Sequence, residues 1–267
     1  MKQNYSTEHK KYLRKLAIES SLIHIAQVVL LIALLLCWEL MANSGIVDPF
    51  ITSSPSRIFN KLAEMIKNGS LWNHVFITMY ETMLAFLIST LLGSVVAIVL
   101  FMCSPIKRVM EPYLVILNSL PKIALGPLII IWMGVGTKAI VTMGVLICIV
   151  ITTISMLNGF CGIEDEKIML MKSMGANKFQ ILFKLVLPAS LPNFISVLKI
   201  NVGMAWVGVI MGEYLSSQAG LGYLLVYGGQ VFQLDLVMTT IVILCILAGI
   251  MYGLVALLEF CVNRKRK

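Results

Sequence analysis

Long apolar runs alternate with short polar connectors along the whole chain. Six runs reach the length of a bilayer crossing, at about 22–42, 79–102, 113–133, 138–159, 191–214 and 236–260. A hydrocarbon core about 30 Å thick is spanned by about 20 apolar residues in helical form. The runs are continuously apolar rather than alternating, which argues against barrel strands. Backbone groups in lipid must be paired inside their own segment, so each run predicts a helix. The third run holds Pro121 and the pair Gly126-Pro127 deep within it. Prolines there free carbonyls that need other partners, a break tolerated where the helix lines a cavity or packs on neighbours. The first run is too long for a signal-peptide core and no small-residue cleavage site follows Met41, so it is expected to be retained as a span.

Two connectors carry structure of their own. After the first span, Ser54-Pro55-Ser56 reads as a helix start. Ile58, Leu62, Met65 and Ile66 then recur at helical spacing until Asn68-Gly69 stops the pattern. This helix is expected on the outer face of the bundle. The second connector, about residues 160–190, predicts two short helices. The first covers Ile163 to Met174, with Ile163, Leu170 and Met174 on one face. Glu164, Asp165 and Glu166 crowd its first turn and suit the positive end of its dipole. Gly175 supplies the left-handed residue that ends it. Asn177 caps the next helix, with Gln180 three residues on as its capping-box partner. Phe179, Leu182, Phe183 and Val186 give that helix an apolar side, and Pro188 and Pro192 mark the return to the membrane. Two readings fit the local pattern: an amphipathic connector resting on the bilayer, and a rigid knob that docks into a soluble partner. In the second, Met171 and Met174 are adaptable contact residues.

Composition and charge sharpen this. Hydrophobic residues make up 59% of the 267 and charged residues only 13%, against roughly 25% charged for a soluble domain. The net charge of +8 raises the possibility of nucleic acid, but its distribution excludes that reading. Fifteen Lys and Arg residues flank one set of loop ends, including the N-terminal segment, residues 107–108, the 160–190 connector and the last four residues. Four lie on the other side: Arg57, Lys61, Lys67 and Lys138. The positive-inside rule then places both termini and the 160–190 connector in the cytoplasm. The expected organisation is a cytoplasmic tail over 1–21, a six-span domain over 22–260 and a basic cytoplasmic tail over 261–267. The six cysteines form no CxxC pair and are expected as reduced, structural thiols.

Polar residues at membrane depth are the remaining candidates, because they are expensive there. Lys122 lies near the middle of the third run beside Pro121. It reads either as an attractor for an anionic solute or as a partner for a carbonyl freed at the break. Asn118, Ser119 and Asn201 line the same path or bond between helices. Glu213, where the fifth span reaches the outer face, is a candidate for the outer gate or a solvated helix end. Lys199 is expected to snorkel, and Glu39, Glu81 and Glu259 to face water or headgroups. Gly208-x-x-x-Gly212 and Gly249-x-x-x-Gly253 permit close helix approach, expected within the chain. No G-x-x-x-x-G-K-[ST] loop is present, so the chain does not hydrolyse ATP itself. No HExxH, GxSxG or paired aspartates occur within the spans. An ion-coupled secondary carrier would want acidic or histidine relays at span centres, where Lys122 stands essentially alone.

The 160–190 connector resembles the ATPase-docking loop of permease subunits of bacterial ATP-binding-cassette importers. That family's signature is Glu-Ala-Ala, three residues, Gly, nine residues, then Ile-x-Leu-Pro. Gly175 matches the glycine, and Leu185-Val186-Leu187-Pro188 matches the end with Leu for Ile. Met169, Leu170 and Met171 stand where Glu-Ala-Ala is expected. From about residue 40 onward the chain is most similar to the nitrate/sulfonate/taurine group. The similarity rests on Ser54-Pro55-Ser56, Pro121 to Leu128 with Trp132 to Gly136, and Gly212-Glu213-Tyr214-Leu215 followed by Gly220-Leu-Gly-Tyr223. The resemblance implies an all-α membrane protein with six spans, both termini inside and a cytoplasmic helix–turn–helix docking loop. It implies a non-catalytic subunit in a bacterial plasma membrane. Its implied partners are two copies of an ATPase, which carries ATP and Mg, a second permease copy and an extracytoplasmic substrate-binding protein. Within the loop it assigns ATPase contact to Met171, Met174, Gly175, Ala176, Asn177, Phe179, Gln180, Leu187 and Pro188. The implied solutes are sulfonates, taurine, nitrate or bicarbonate, with thiamine-pyrimidine precursors and riboflavin as alternatives.

Overall fold

The computed structural model describes residues 7–44 and 52–266. Among these, every regular element is a helix. The chain divides into two compact units, Met1–Ala63 and Glu64–Lys267.

In the first unit, α1 runs from Thr7 to Asn43 without interruption. The tail expected over 1–21 is therefore helical from Thr7 and continuous with the first span; residues 1–6 lie outside the described residues. Glu39, expected to face water or headgroups, also caps the start of α2 (Pro55–Lys67). Its carboxylate accepts from the Ser56 amide at 3.0 Å and the Ser56 hydroxyl at 2.8 Å. A negative group suits the positive end of a helix, where the first amides lack intrahelical partners.

The second unit holds α3 (Ser70–Met102), α4 (Ser104–Ser119), α5 (Gly126–Met133), α6 (Thr137–Cys161), α7 (Asp165–Ser173), α8 (Lys178–Ile181), α9 (Leu191–Ser216), α10 (Leu221–Gln230) and α11 (Leu234–Arg266). α3 begins about two and a half turns before the apolar run of 79–102, just after the left-handed Gly69. The third run is not one straight helix. α4 and the Lys122–Met133 segment meet at 84°. The cause is Pro121, whose ring pushes the preceding residue out of helical space; Leu120 is extended, at φ −65° and ψ 138°. A 3₁₀ turn, Lys122–Leu125, restarts the helix. Among the described residues five helices are long and apolar enough to cross a bilayer, and the bent pair, counted as one broken span, makes six. The segment between the fifth and sixth runs contains α10, and the basic tail expected over 261–267 continues α11 as far as Arg266.

α6 is the centre of the bundle and packs against both α3 and α9. The α6–α9 contact depends on missing side chains. A Cβ on Gly208 would lie 2.6 Å from the Gly144 Cα, and one on Gly212 would lie 2.9 Å from the Ile140 Cα. The first small-residue pair thus brings helices together within the chain, as expected. Around Gly249 and Gly253 an added Cβ would meet nothing within 4 Å, so that pair makes no such contact in this protomer.

Candidate functional site

The 160–190 connector folds as a capped and anchored helix–turn–helix. Glu164 is the N-cap residue of α7, with Asp165 and Glu166 in its first turn. At its other end Gly175 takes φ +78°, a conformation that side-chain-bearing residues reach only at a cost. The Gly175 amide donates to the Lys172 carbonyl at 2.9 Å and the Ala176 amide to the Met171 carbonyl at 3.0 Å. This pair of bonds is a Schellman motif, and it pays out the last orphan carbonyls of α7. Two residues later the expected capping box is complete. The Gln180 amide donates to Asn177 Oδ1, and the Asn177 amide to Gln180 Oε1, both at 2.8 Å. α8 lasts one turn, widens into a π-helical turn (Leu182–Val186), and ends as a short helix at Leu187–Ala189.

The side chains of this element divide between two jobs. Ile181, Leu182 and Val186 are buried in one cluster with Ala97 and Leu100 of α3, Met156 and Phe160 of α6 and Val197 of α9. Ile168, Met171, Ala176 and Leu187 pack against that cluster. The knob is therefore bonded into three spans. Met169, Leu170, Met174, Phe179 and Phe183 are left exposed, between 62% and 76%. The apolar faces differ from those the periodicity suggested. Leu170 and Met174 project away from the bundle, and Phe179 and Phe183 part from Leu182 and Val186. Ile168 and Ile181, which the sequence reading passed over, are the anchors. A concavity of about 380 Å³ lies beside the turn, lined by Met171, Met174, Gly175, Ala176, Gln180 and Lys184. Met171 serves both sides: it packs inward and lines this hollow. Asn177 and Pro188 are exposed.

The intramembrane candidates fall into three places. Asn118, Ser119, Pro121 and Lys122 come together at the 84° break. The Lys122 ammonium donates to the Asn118 carbonyl at 3.3 Å. That carbonyl is the group whose helical donor, four residues on, the break removes. The freed-carbonyl reading of Lys122 therefore holds, and its partial exposure still leaves it open to a solute. Ser119 bonds back to the Val115 carbonyl at 3.0 Å.

Asn201 is the second place. It is fully buried, donates to Thr90 Oγ1 at 3.0 Å and accepts from Thr152 Oγ1 at 3.0 Å. It joins α9 to α3 and α6, the second of its two readings, and is not exposed to any path. Glu213 is the third. It is 1% exposed and is not a solvated helix end. Its carboxyl accepts from the Gly222 amide and lies against Glu81, itself 1% exposed rather than facing water. Lys199 pairs with Glu259 of α11, with the Tyr252 ring 5.9 Å away. His24 opens the first apolar run and reads from the sequence as an interfacial histidine; its side chain lies outside the described residues. All six cysteines are free, as expected.

Comparison with known proteins gives these features a context. Residues 89–266 match the family described as binding-protein-dependent transport system inner membrane component. A probable ABC transporter permease protein of Haemophilus influenzae is 32% identical over 222 residues, covering 82% of this chain and 89% of the relative. The putative aliphatic sulfonates transport permease protein SsuC of Bacillus subtilis is 27% identical, covering 83% and 80%. The taurine transport system permease protein TauC of Escherichia coli is 26% identical, covering 82% and 81%. Among solved structures, an inward-facing MetNI methionine ABC transporter aligns with a TM-score of 0.62 over 72% of this chain and 97% of that one, at 21% identity. At that identity the match shows the fold.

Proposed function

The chain belongs to the binding-protein-dependent transport system inner membrane components, the multi-pass permease subunits of ABC importers, and from that premise we propose how it works. The helix–turn–helix around Gly175 faces the cytoplasm and is the handle on which a separate ATPase subunit pulls. ATP and Mg reside on that ATPase, and this chain performs no hydrolysis. Two copies of the chain enclose the path, and an extracytoplasmic binding protein delivers the solute in a bacterial plasma membrane. One observation supports the handle above others: the exposed apolar knob is bonded into α3, α6 and α9 through Ile181, Leu182 and Val186. A force applied at Met174 or Phe179 is therefore transmitted to the spans as a rigid-body motion, the basis of alternating access. The missing Glu-Ala-Ala residues fit this arrangement, because Met169 and Leu170 enlarge the exposed apolar surface. The test is co-purification of the chain with an ATPase subunit, lost when Met174 and Phe179 are both replaced by Asp while membrane insertion is unchanged. Retention of the ATPase by that variant would sink the proposal.

The solute we propose is a small anion of the sulfonate or taurine kind. Lys122 carries the argument: it is the cation at the broken span and is partly exposed. Relatives named for sulfonates and taurine support it, while others are named for formylaminopyrimidine and riboflavin. A thermal-shift screen of the partner binding protein decides between them. Stabilisation by a sulfonate and by no pyrimidine or flavin is the expected result; the reverse would refute the anion reading.

A further inference from the structure

The buried acid pair at the outer end of the bundle has no place in the docking mechanism. Glu81 of α3 and Glu213 of α9 are the two buried carboxyl groups among the described residues, each 1% exposed, and they lie in contact. Each keeps one oxygen with no donor, Oε2 of Glu81 and Oε1 of Glu213. The groups acting on Glu213 are Thr78, the Gly222 amide and Glu81; those acting on Glu81 are Thr137 and Glu213. None is a cation, and neither acid forms a salt bridge among the described residues. The nearest titratable neighbours sit further out. His74 of α3 accepts the Gly220 amide at 3.0 Å, and Tyr223 of α10 stacks on it with ring centroids 6.2 Å apart. On α6, Lys138 follows Thr137 but is exposed.

The turn from α9 into α10 is built around this pair. Its amides are taken up in order: Gly220 by His74, Leu221 by Thr78 Oγ1 at 2.8 Å, and Gly222 by Glu213 Oε2. A Cβ on Gly220 would lie 2.5 Å from the Glu213 carboxyl carbon, and one on Gly222 would lie 2.6 Å from the Glu213 Cβ. The backbone thus wraps the carboxyl so closely that no side chain fits between them.

Two adjacent buried carboxylates with no cation cannot both be charged without a large penalty. We infer that Glu81 and Glu213 hold one proton between them, as a carboxyl–carboxylate pair that latches the α9–α10 turn to α3. The protonated member donates to the other and supplies the donor that each carboxyl lacks. Loss of the proton to water leaves two facing carboxylates, which repel and release the turn. The latch lies where three elements converge, α3, α9 and α10, so its opening loosens the outer end of the bundle. This is a proton site on the permease itself and does not depend on the solute or on the docking assignment.

The test is infrared titration of the assembled transporter in lipid nanodiscs. The native protein is expected to show a protonated-carboxyl C=O band at neutral pH that shifts in D₂O and fades as pH rises. Glu81→Gln/Glu213→Gln removes it, because the described chain has no other buried carboxyl group. Thermal midpoints follow the same sign. The native protein loses stability on alkalinisation, and the double variant loses much less. Neither the His74 imidazole nor the Tyr223 phenol absorbs in the carboxyl C=O region, so neither imitates the result. If the double variant fails to assemble, the band in the native protein decides alone. Absence of the band overturns the inference. So does a native midpoint that rises with added sodium or calcium at fixed ionic strength, since the pair would then hold a metal cation.

Discussion

Gly175 separates the shape of the α7–α8 turn from insertion of the spans. An added Cβ at this residue meets nothing within 4 Å, so Gly175→Ala carries only the left-handed backbone penalty, about 1–2 kcal/mol. The anchors outweigh it, because each fully buried Leu or Ile side chain contributes about 1.5–3 kcal/mol, and Ile181 and Leu182 are 5% and 2% exposed. Gly175→Pro is different in kind. A proline ring holds φ at about −65°, incompatible with the +78° found here. It also deletes the amide that donates to Lys172, a bond with a net contribution of about 0.5–1.5 kcal/mol. Together these disfavour the native turn by about 3 kcal/mol or more, roughly a hundredfold or more in its population. The assay is ATP-driven uptake into vesicles carrying the whole transporter, with inserted protein quantified alongside. Gly175→Ala is expected to retain most of the uptake. Gly175→Pro inserts normally, but its ATP hydrolysis no longer drives uptake. Normal uptake by the proline variant, or equal loss in both, would refute the reasoning.

Four other outcomes are expected. Asn201→Leu removes the bonds to Thr90 and Thr152 and strands the Thr90 hydroxyl, while Thr152 keeps the Cys148 carbonyl; it lowers stability in detergent by about 1–3 kcal/mol, at about 0.6–1.7 kcal/mol per interhelical bond, read from the thermal midpoint. Gly208→Ala overpacks the α6–α9 contact and costs about 1–3 kcal/mol in the same measurement, whereas Gly249→Ala, which meets open space, leaves the midpoint unchanged. Lys122→Gln raises the KM for an anionic solute and has little effect on a neutral one, as initial uptake rates at graded concentrations will show. Lys199→Glu and Glu259→Lys each lower the thermal midpoint, and the double exchange recovers much of the loss, because the pair is then restored with its charges swapped.

What could be read from the sequence was local. Apolar run lengths gave the spans to within a few residues at most ends, because bilayer thickness sets them. The caps at Gly175, Asn177 and Gln180 were legible because each bonds within about five residues. The severity of the Pro121 break was not, since apolar residues continue on both sides and hide the bend. Nor was the inward face of the knob, because apolar residues occupy both of its faces and only the tertiary contacts select Ile168 and Ile181. Asn201 had two readings open, and Glu81 and Glu213 were misplaced, for one reason. A polar residue in a span looks the same whether it meets a solute, a lipid headgroup or a partner on another helix.

Photo-crosslinking from residue 174 addresses the central claim most directly. A photoreactive amino acid replaces Met174 in the full chain, which is expressed with its transporter partners and irradiated with and without ATP. The account predicts an adduct with the ATPase subunit, also formed from position 179, and no such adduct from Trp72 near the start of α3. Adducts from Trp72 instead, or none from 174 and 179 in an active transporter, would contradict it.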